Sequence, residues 1–131
     1  WIKRIADPKG LSVAFGAFAA EKLIGTVALE FSAKPRTKHK ALVIGMYVSP
    51  EARGKAVGRR LLEAAVQFAK ARPGIFALTL TATEGNAPAI SLYRSFGFEV
   101  FGIEPMAIHT PEGYKGKVYM RLSTAHGQPA A

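Results

Sequence analysis

The run Arg53-Gly54-Lys55-Ala56-Val57-Gly58-Arg59-Arg60 mixes small residues with cations, and it joins an apolar, strand-like segment ending at Val48 to an amphipathic, helix-like one. A loop of this kind points successive backbone N–H groups at one spot, beside the positive end of a helix dipole. Gly54, Ala56 and Gly58 leave the backbone unshielded, so that an anion can approach closely, while Arg53, Lys55, Arg59 and Arg60 add charge around it. The chemistry implied is the holding of a phosphate or diphosphate. A second segment, Asn86-Ala87-Pro88-Ala89-Ile90-Ser91-Leu92-Tyr93-Arg94-Ser95-Phe96-Gly97-Phe98, reads as a short helix. Asn86 suits its N-cap, Pro88 its first turn and Gly97 its stop.

Together the two segments resemble the Gcn5-related N-acetyltransferases. The first is similar to that family's Gln/Arg-x-x-Gly-x-Gly/Ala loop, which holds the pyrophosphate of acetyl-coenzyme A, here Arg53-Gly54-Lys55-Ala56-Val57-Gly58. Ala56 stands where the family usually has glycine; a methyl group takes little room and disfavours only positive φ. The second is similar to Asn-x-x-Ala-x-x-Leu-Tyr-x-x-x-Gly-Phe, matched at Asn86, Ala89, Leu92, Tyr93, Gly97 and Phe98. The resemblance covers roughly Leu11 to Leu122 and implies an α/β fold with a mixed central sheet of the acyl-coenzyme A N-acyltransferase type. It further implies transfer of an acetyl group from acetyl-coenzyme A to a primary amine by direct attack in a ternary complex.

The same resemblance suggests a role for each site residue. The strand before the phosphate loop, Ile44 to Val48, would pair with the pantetheine arm, with Met46 or Tyr47 giving a backbone N–H to the thioester oxygen and Val48 ending the strand. Arg53, Gly54, Lys55, Ala56, Val57, Gly58 and Arg59 would hold the pyrophosphate. Asn86 would bond to the pantetheine arm, and Tyr93 would act as the general acid for the departing thiolate; a phenol, with an ordinary pKa of about 10, is protonated at neutral pH. Helix capping alone also accounts for Asn86, and packing on the sheet for Tyr93. No spacing singles out a general base among Glu30, Glu84, His39 and His109.

Composition bounds the alternatives. The 131 residues make one domain, with a core running from about residue 11 to 122, and the 49% hydrophobic content is ample for a single core. No apolar run approaches the roughly 20 residues that cross a bilayer, and no signal-peptide pattern opens the chain, so a soluble, cytoplasmic protein is expected. The chain has no cysteine, which excludes disulfides and a cysteine-thioester intermediate, and its three scattered histidines do not describe a metal site. Eighteen Lys+Arg against nine Asp+Glu give +9, which attracts polyanions, coenzyme A among them. The run Lys34-Pro35-Arg36-Thr37-Lys38-His39-Lys40 reads as a solvated loop, a phosphate or acidic-substrate contact, or a nucleic-acid site. No aromatic residues interleave with it, as a single-strand stacking surface requires.

The elements that position these residues follow from periodicity. Val13–Phe18 and Leu23–Phe31 read as a hairpin about Glu21-Lys22, with Leu23, Val27, Leu29 and Phe31 on one face. Ala41 to Val48 is apolar on both faces, as in a strand covered above and below, and Gly45 marks a bulge or a close approach. Ala56 to about Arg72 is a helix with the stripe Val57, Leu61, Ala65, Phe68 and Ala69, and Ile75 to Thr83 is a strand. Phe98–Ile103 and Lys117–Leu122 read as a final antiparallel pair with Val118, Met120 and Leu122 inward, joined by a long loop, Glu104 to Gly116. The tail after Ser123 reads as frayed. The strand and helices with which the family usually begins are missing or short here, and exposed strand edges make a homodimer an option.

Two rival readings remain, a weakly catalytic acyl-coenzyme A sensor and a basic nucleic-acid-binding domain, and a third is set aside, a nucleotide-binding α/β protein. The last lacks a Gly-x-x-x-x-Gly-Lys-Ser/Thr motif. Acceptors left open include small amines and protein N-termini.

Overall fold

The computed structural model describes residues 2–124, so the tail expected to fray, from residue 125 on, and the third histidine, His126, lie outside the described residues. The elements are β1 (Ile2–Ala6), β2 (Ser12–Ala19), β3 (Lys22–Phe31), β4 (Lys40–Val48), α1 (Val57–Ala71), β5 (Ala77–Thr83), α2 (Ala87–Ser95), β6 (Glu99–Thr110) and β7 (Gly113–Ser123), with a 3-10 turn at Pro50–Ala52. The seven strands follow the order β1-β2-β3-β4-β5-β7-β6. This is the mixed α/β sheet that the two motifs imply, with one addition: β1 precedes the hairpin, paired antiparallel with β2 from Ile2↔Ala17 to Ala6↔Val13. Contacts divide the chain into two units, residues 2–78 with Thr124, and residues 79–123.

In the first unit α1 packs on β2, β3 and β4. Val57, Leu61, Leu62, Ala65, Val66 and Ala69 are buried on the helix, against Val13, Phe15, Ala17, Val27, Leu29 and Val43 of the strands. The stripe is wider than the five-residue reading because Leu62 and Val66 extend it, while Phe68 is half-buried and meets Phe15 edge-on at 5.9 Å. At Gly25 a side chain has no room: an added Cβ would lie 2.9 Å from Leu61 Cδ1 and 3.0 Å from both Tyr47 O and Val57 Cγ1. The first turn of α1 therefore settles directly onto the β3 backbone.

Two bulges reset the pairing. Between β2 and β3 the register passes from Ala17↔Gly25 to Phe18↔Leu23, which turns Ile24 inward and leaves Leu23 49% exposed. Leu23 is thus not on the core face with Val27, since one extra residue exchanges the faces of a strand. Between β3 and β4 the register passes from Ala28↔Ile44 to Thr26↔Tyr47, and Gly45, with φ +63°, is the bulge residue that glycine at this position suggested. Thr26 Oγ1 donates to the Gly45 carbonyl at 2.9 Å and fixes the bulge. The expected covering of both β4 faces does not hold: Ala41 and Val43 lie under α1, whereas Leu42, Ile44 and Tyr47 are exposed.

The second unit holds α2 and the β6–β7 hairpin over a core of Leu80, Tyr93, Phe98, Val118, Met120 and Leu122. The inward set of β7 is as expected. The long loop is not: β6 and β7 pair to Thr110↔Gly113, so only Pro111 and Glu112 form the turn. Thr110 Oγ1 closes that turn by donating to the Gly113 carbonyl at 2.7 Å. Pro105 falls where the register shifts between Glu104 and Ile108, and Met106 there takes φ +52°. A proline is tolerated at such an irregularity because no ladder hydrogen bond is asked of it.

Candidate active site

In the first unit Met46, Tyr47, Val48, Arg53, Gly54, Lys55, Ala56, Val57, Gly58 and Arg59 follow one another around the exit from β4 and the entry to α1. The chain leaves the sheet at Ser49, whose amide donates to Ile24 O at 2.9 Å, and turns through Pro50–Ala52. Arg53 Nε then donates back to Val48 O at 3.1 Å, tying the loop to the strand end. The residue expected to supply charge thus also braces the loop. Gly54 takes φ +83° with open space where a side chain would be, and Ala56 takes φ +62°. Ala56 therefore adopts the left-handed conformation that its glycine-like position requires, at a cost of roughly 1–2 kcal/mol for a non-glycine residue.

The N-terminus of α1 is built for something other than its own stability. No side chain caps Ala56, and the first turn carries no acidic residue. It carries Arg59 and Arg60 instead, against the dipole preference. The first intrahelical bond is Arg60 N to Ala56 O at 3.1 Å, so the amides of Val57 and Gly58 precede the helical ladder. Uncapped amides, cations and exposed glycine backbone form a cradle that fits a phosphate or diphosphate.

Residues that the sequence reading passed over support the cradle. Gly25 lets α1 approach, and a glycine within a strand was the available signal. Lys22 Nζ meets Glu51 Oε1 at 2.6 Å, fastening the start of β3 to the turn. That hydrogen bond, with the mutual charge, raises the Lys22 pKa and lowers that of Glu51. Ser49 is buried, and its Oγ has no hydrogen-bond partner among the described residues.

In the second unit Asn86 and Tyr93 stand two turns apart, about 10 Å along the axis of α2. Asn86 Oδ1 accepts from Ala89 N at 3.3 Å, which makes the residue the helix cap. The Tyr93 ring is buried and meets Phe98 edge-on at 6.1 Å, so it does pack as its neighbours required. Its hydroxyl makes no hydrogen bond to a described residue. Burial raises its pKa, which keeps the phenol protonated at neutral pH. A cavity of about 340 Å³ opens along the same helix, lined by Gly85, Ala87, Ile90, Ser91 and Arg94.

Geometry sorts the candidate bases. His39 directly precedes β4 while the cradle follows it, so the nine-residue strand separates them by roughly 25–30 Å. Glu30 pairs with Leu42, toward that same far end. Both lie toward the end of β4 away from the cradle. His109 is not in a loop; it lies on β6, with its ring 4.8 Å from that of Tyr114. Glu84 is exposed two residues before Asn86, its amide bonded to Gly116 O at 2.9 Å. Among the described residues no cluster of His, Asp or Glu could hold a metal, and no helix is long and apolar enough to cross a membrane.

Known proteins resemble this chain in sequence and in fold. Streptothricin acetyltransferase of Streptomyces lavendulae is 38% identical over 82 residues, which are 63% of this chain and 41% of that protein. The L-amino acid N-acetyltransferase of Escherichia coli K12 is 26% identical over 78% of this chain and 62% of its own length. The chain spans between 24% and 62% of the curated relatives it matches. Among solved structures, an acetyltransferase of the GNAT family from Streptococcus pneumoniae superposes with a TM-score of 0.82 at 23% identity, covering 88% of this chain and 68% of that one. The ribosomal-protein-S18-alanine N-acetyltransferase from E. coli gives 0.80 at 24% identity, over 92% of this chain and 75% of that one. The model of the acetyltransferase (GNAT) family matches residues 1–98, which takes in the cradle and all of α2, and the chain belongs to that family.

Proposed function

We propose that this chain is the catalytic domain of an acetyl-coenzyme A-dependent N-acetyltransferase acting on a primary amine. One observation carries the reading: an uncapped helix N-terminus with arginines in its first turn, preceded by positive-φ Gly54 and Ala56, which fits the diphosphate of the acetyl donor. Gly54 to Arg59 hold that diphosphate, with Arg53 bracing the loop. The β4 backbone from Met46 to Val48 lies along the pantetheine arm and supplies the N–H for the thioester oxygen. Asn86 caps α2 and offers its amide to the same arm.

In the reaction the neutral amine attacks the thioester carbonyl, a C–N bond forms and the C–S bond breaks. Tyr93 gives its phenolic proton to the departing thiolate and recovers one from solvent. Burial raises its pKa, so the phenol holds the proton that a general acid must give and is a weaker acid toward the thiolate than a solvated tyrosine. The amine loses its proton to water. The relatives act, by name, on streptothricin, on amino acids and on a ribosomal-protein alanine, which supports small amines and protein N-termini as the acceptor classes. The setting is the cytoplasm, where acetyl-coenzyme A is available.

Calorimetric titration with acetyl-coenzyme A, alongside duplex DNA at two salt concentrations, tests the reading. Saturable one-to-one coenzyme binding is expected, with turnover on an amine panel that falls roughly 100-fold in kcat in Tyr93→Phe at unchanged KM. Coenzyme binding without turnover on any amine would make the chain a sensor. No coenzyme binding, with salt-sensitive DNA binding, would sink the proposal.

A further inference from the structure

The first unit has a second basic region, at the opposite end of β4 from the cradle, and it surrounds a cavity. That cavity, of about 330 Å³, is lined by Leu11, Phe31, Ser32, Ala33, Lys38, Arg72, Pro73, Gly74 and Ile75. Phe31 and Ile75 are buried beneath it, 8% and 2% exposed, and Leu11, Ala33 and Pro73 give its exposed apolar lining. The lining contains two cations and no carboxylate. The Arg72 guanidinium carbon lies over the Phe31 ring, 3.8 Å from its centroid, a cation–π contact that restrains the side chain. Lys38 is in no ion pair among the described residues.

The loop carrying Lys38 is held in shape before any ligand arrives. Thr37 N and Lys38 N both donate to Lys34 O, at 3.0 and 2.9 Å, and the hydroxyls of Ser32 and Thr37 lie 2.6 Å apart. Arg72 caps the C-terminus of α1, where the dipole alone favours a cation. The dipole does not account for Lys38, which comes from a different element and converges on the same cavity. A cavity with two cations and apolar residues in its lining, at the small end of the ~300–1,000 Å³ range, has the form of a small-molecule site.

We infer that this cavity binds a small anion with an apolar body, its carboxylate or phosphate held by Lys38 and Arg72 and its body resting on Leu11, Ala33 and Pro73, the exposed apolar part of the lining. The ring face of Phe31 is already covered by Arg72, so the body is held by burial and not by stacking. This site is independent of the acetyltransferase reading and stands or falls apart from it.

A backbone chemical-shift titration of the whole chain tests the inference, with 3-phenylpropionate and phenyl phosphate as probes and with inorganic phosphate and benzyl alcohol as controls. The phenyl-bearing anions should give saturable shifts at Ser32, Lys38, Gly74 and Ile75 that acetyl-coenzyme A does not reverse, while both controls bind far more weakly. Lys38→Ala, at an exposed position, should weaken binding roughly tenfold at an unchanged thermal midpoint. Arg72→Lys, which keeps the charge and loses the fork, should weaken it as well. Absence of saturable shifts, equal binding of inorganic phosphate, shifts centred on Gly54 to Gly58, or unchanged affinity in both variants would each overturn it.

Discussion

The two ends of β4 are both ringed by cations, yet they are built on opposite principles. After Val48 the backbone is the instrument: amides of α1 are uncapped, Gly54 and Ala56 hold positive φ, and the arginines only surround them. Before Lys40 the side chains are the instrument: Lys38 and Arg72 line a cavity at the C-terminus of the same helix. A backbone cradle reads charge and shape at close range and tolerates changes of cation. A side-chain clamp depends on each cation and on what lies beneath it. Positive charge alone, +9 over the chain, distinguishes neither end.

Substitutions that strike one end only are the way to break this comparison. The largest effect is expected from Gly58→Glu, which places a carboxylate among the first-turn amides. Coenzyme affinity should fall at least about 100-fold by calorimetry, a like-charge penalty of several kcal/mol. The folded state should hold or gain stability, since Glu is the better helix former and suits a first turn. Binding at the far cavity should be untouched; loss at both ends would mean that the two are not separate.

Gly25→Ala comes next. The added methyl meets Tyr47 O at 3.0 Å and crowds Leu61 and Val57, so urea unfolding should show about 1–3 kcal/mol of lost stability. Coenzyme binding should weaken with it, because the first turn of α1 is lifted. The smallest effect is expected from Ala56→Gly, which relieves the left-handed strain and loosens the unfolded chain. A net gain of about 0.5–1 kcal/mol in the same assay is expected. A loss there would mean that Ala56 does not need its positive φ.

Much of this was legible in the residues, and the reason differs from place to place. The cradle is local: its order of small and basic residues is contiguous, so both motif and helix entry are found in one short stretch. Asn86 as cap and Gly97 as stop are local too. The face of Leu23 and the exposed side of β4 were not legible, because they depend on bulges and on what covers a strand, which period-two counting cannot see. The far part of the β6–β7 hairpin, Glu104 to Gly116, reads as a loop for the opposite reason. Pro105, Pro111, Gly113 and Gly116 all look like breaks, yet only Pro111-Glu112 turns the chain, while Pro105 sits in a register irregularity. Gly25 was overlooked because its role is set by Leu61, more than thirty residues away in the sequence.

The bulge at Gly45 acts on its strand as an inserted base acts on a reading frame. Before it the odd positions Ala41 and Val43 face α1; after it Tyr47 pairs with Thr26 and falls on the other side, and Val48 pairs with Gly25 on the helix side. Any residue-by-residue transfer of roles along this strand must therefore be counted from Val48 backwards to Gly45. Counted forwards from Lys40, it assigns every position at the cradle end to the wrong face.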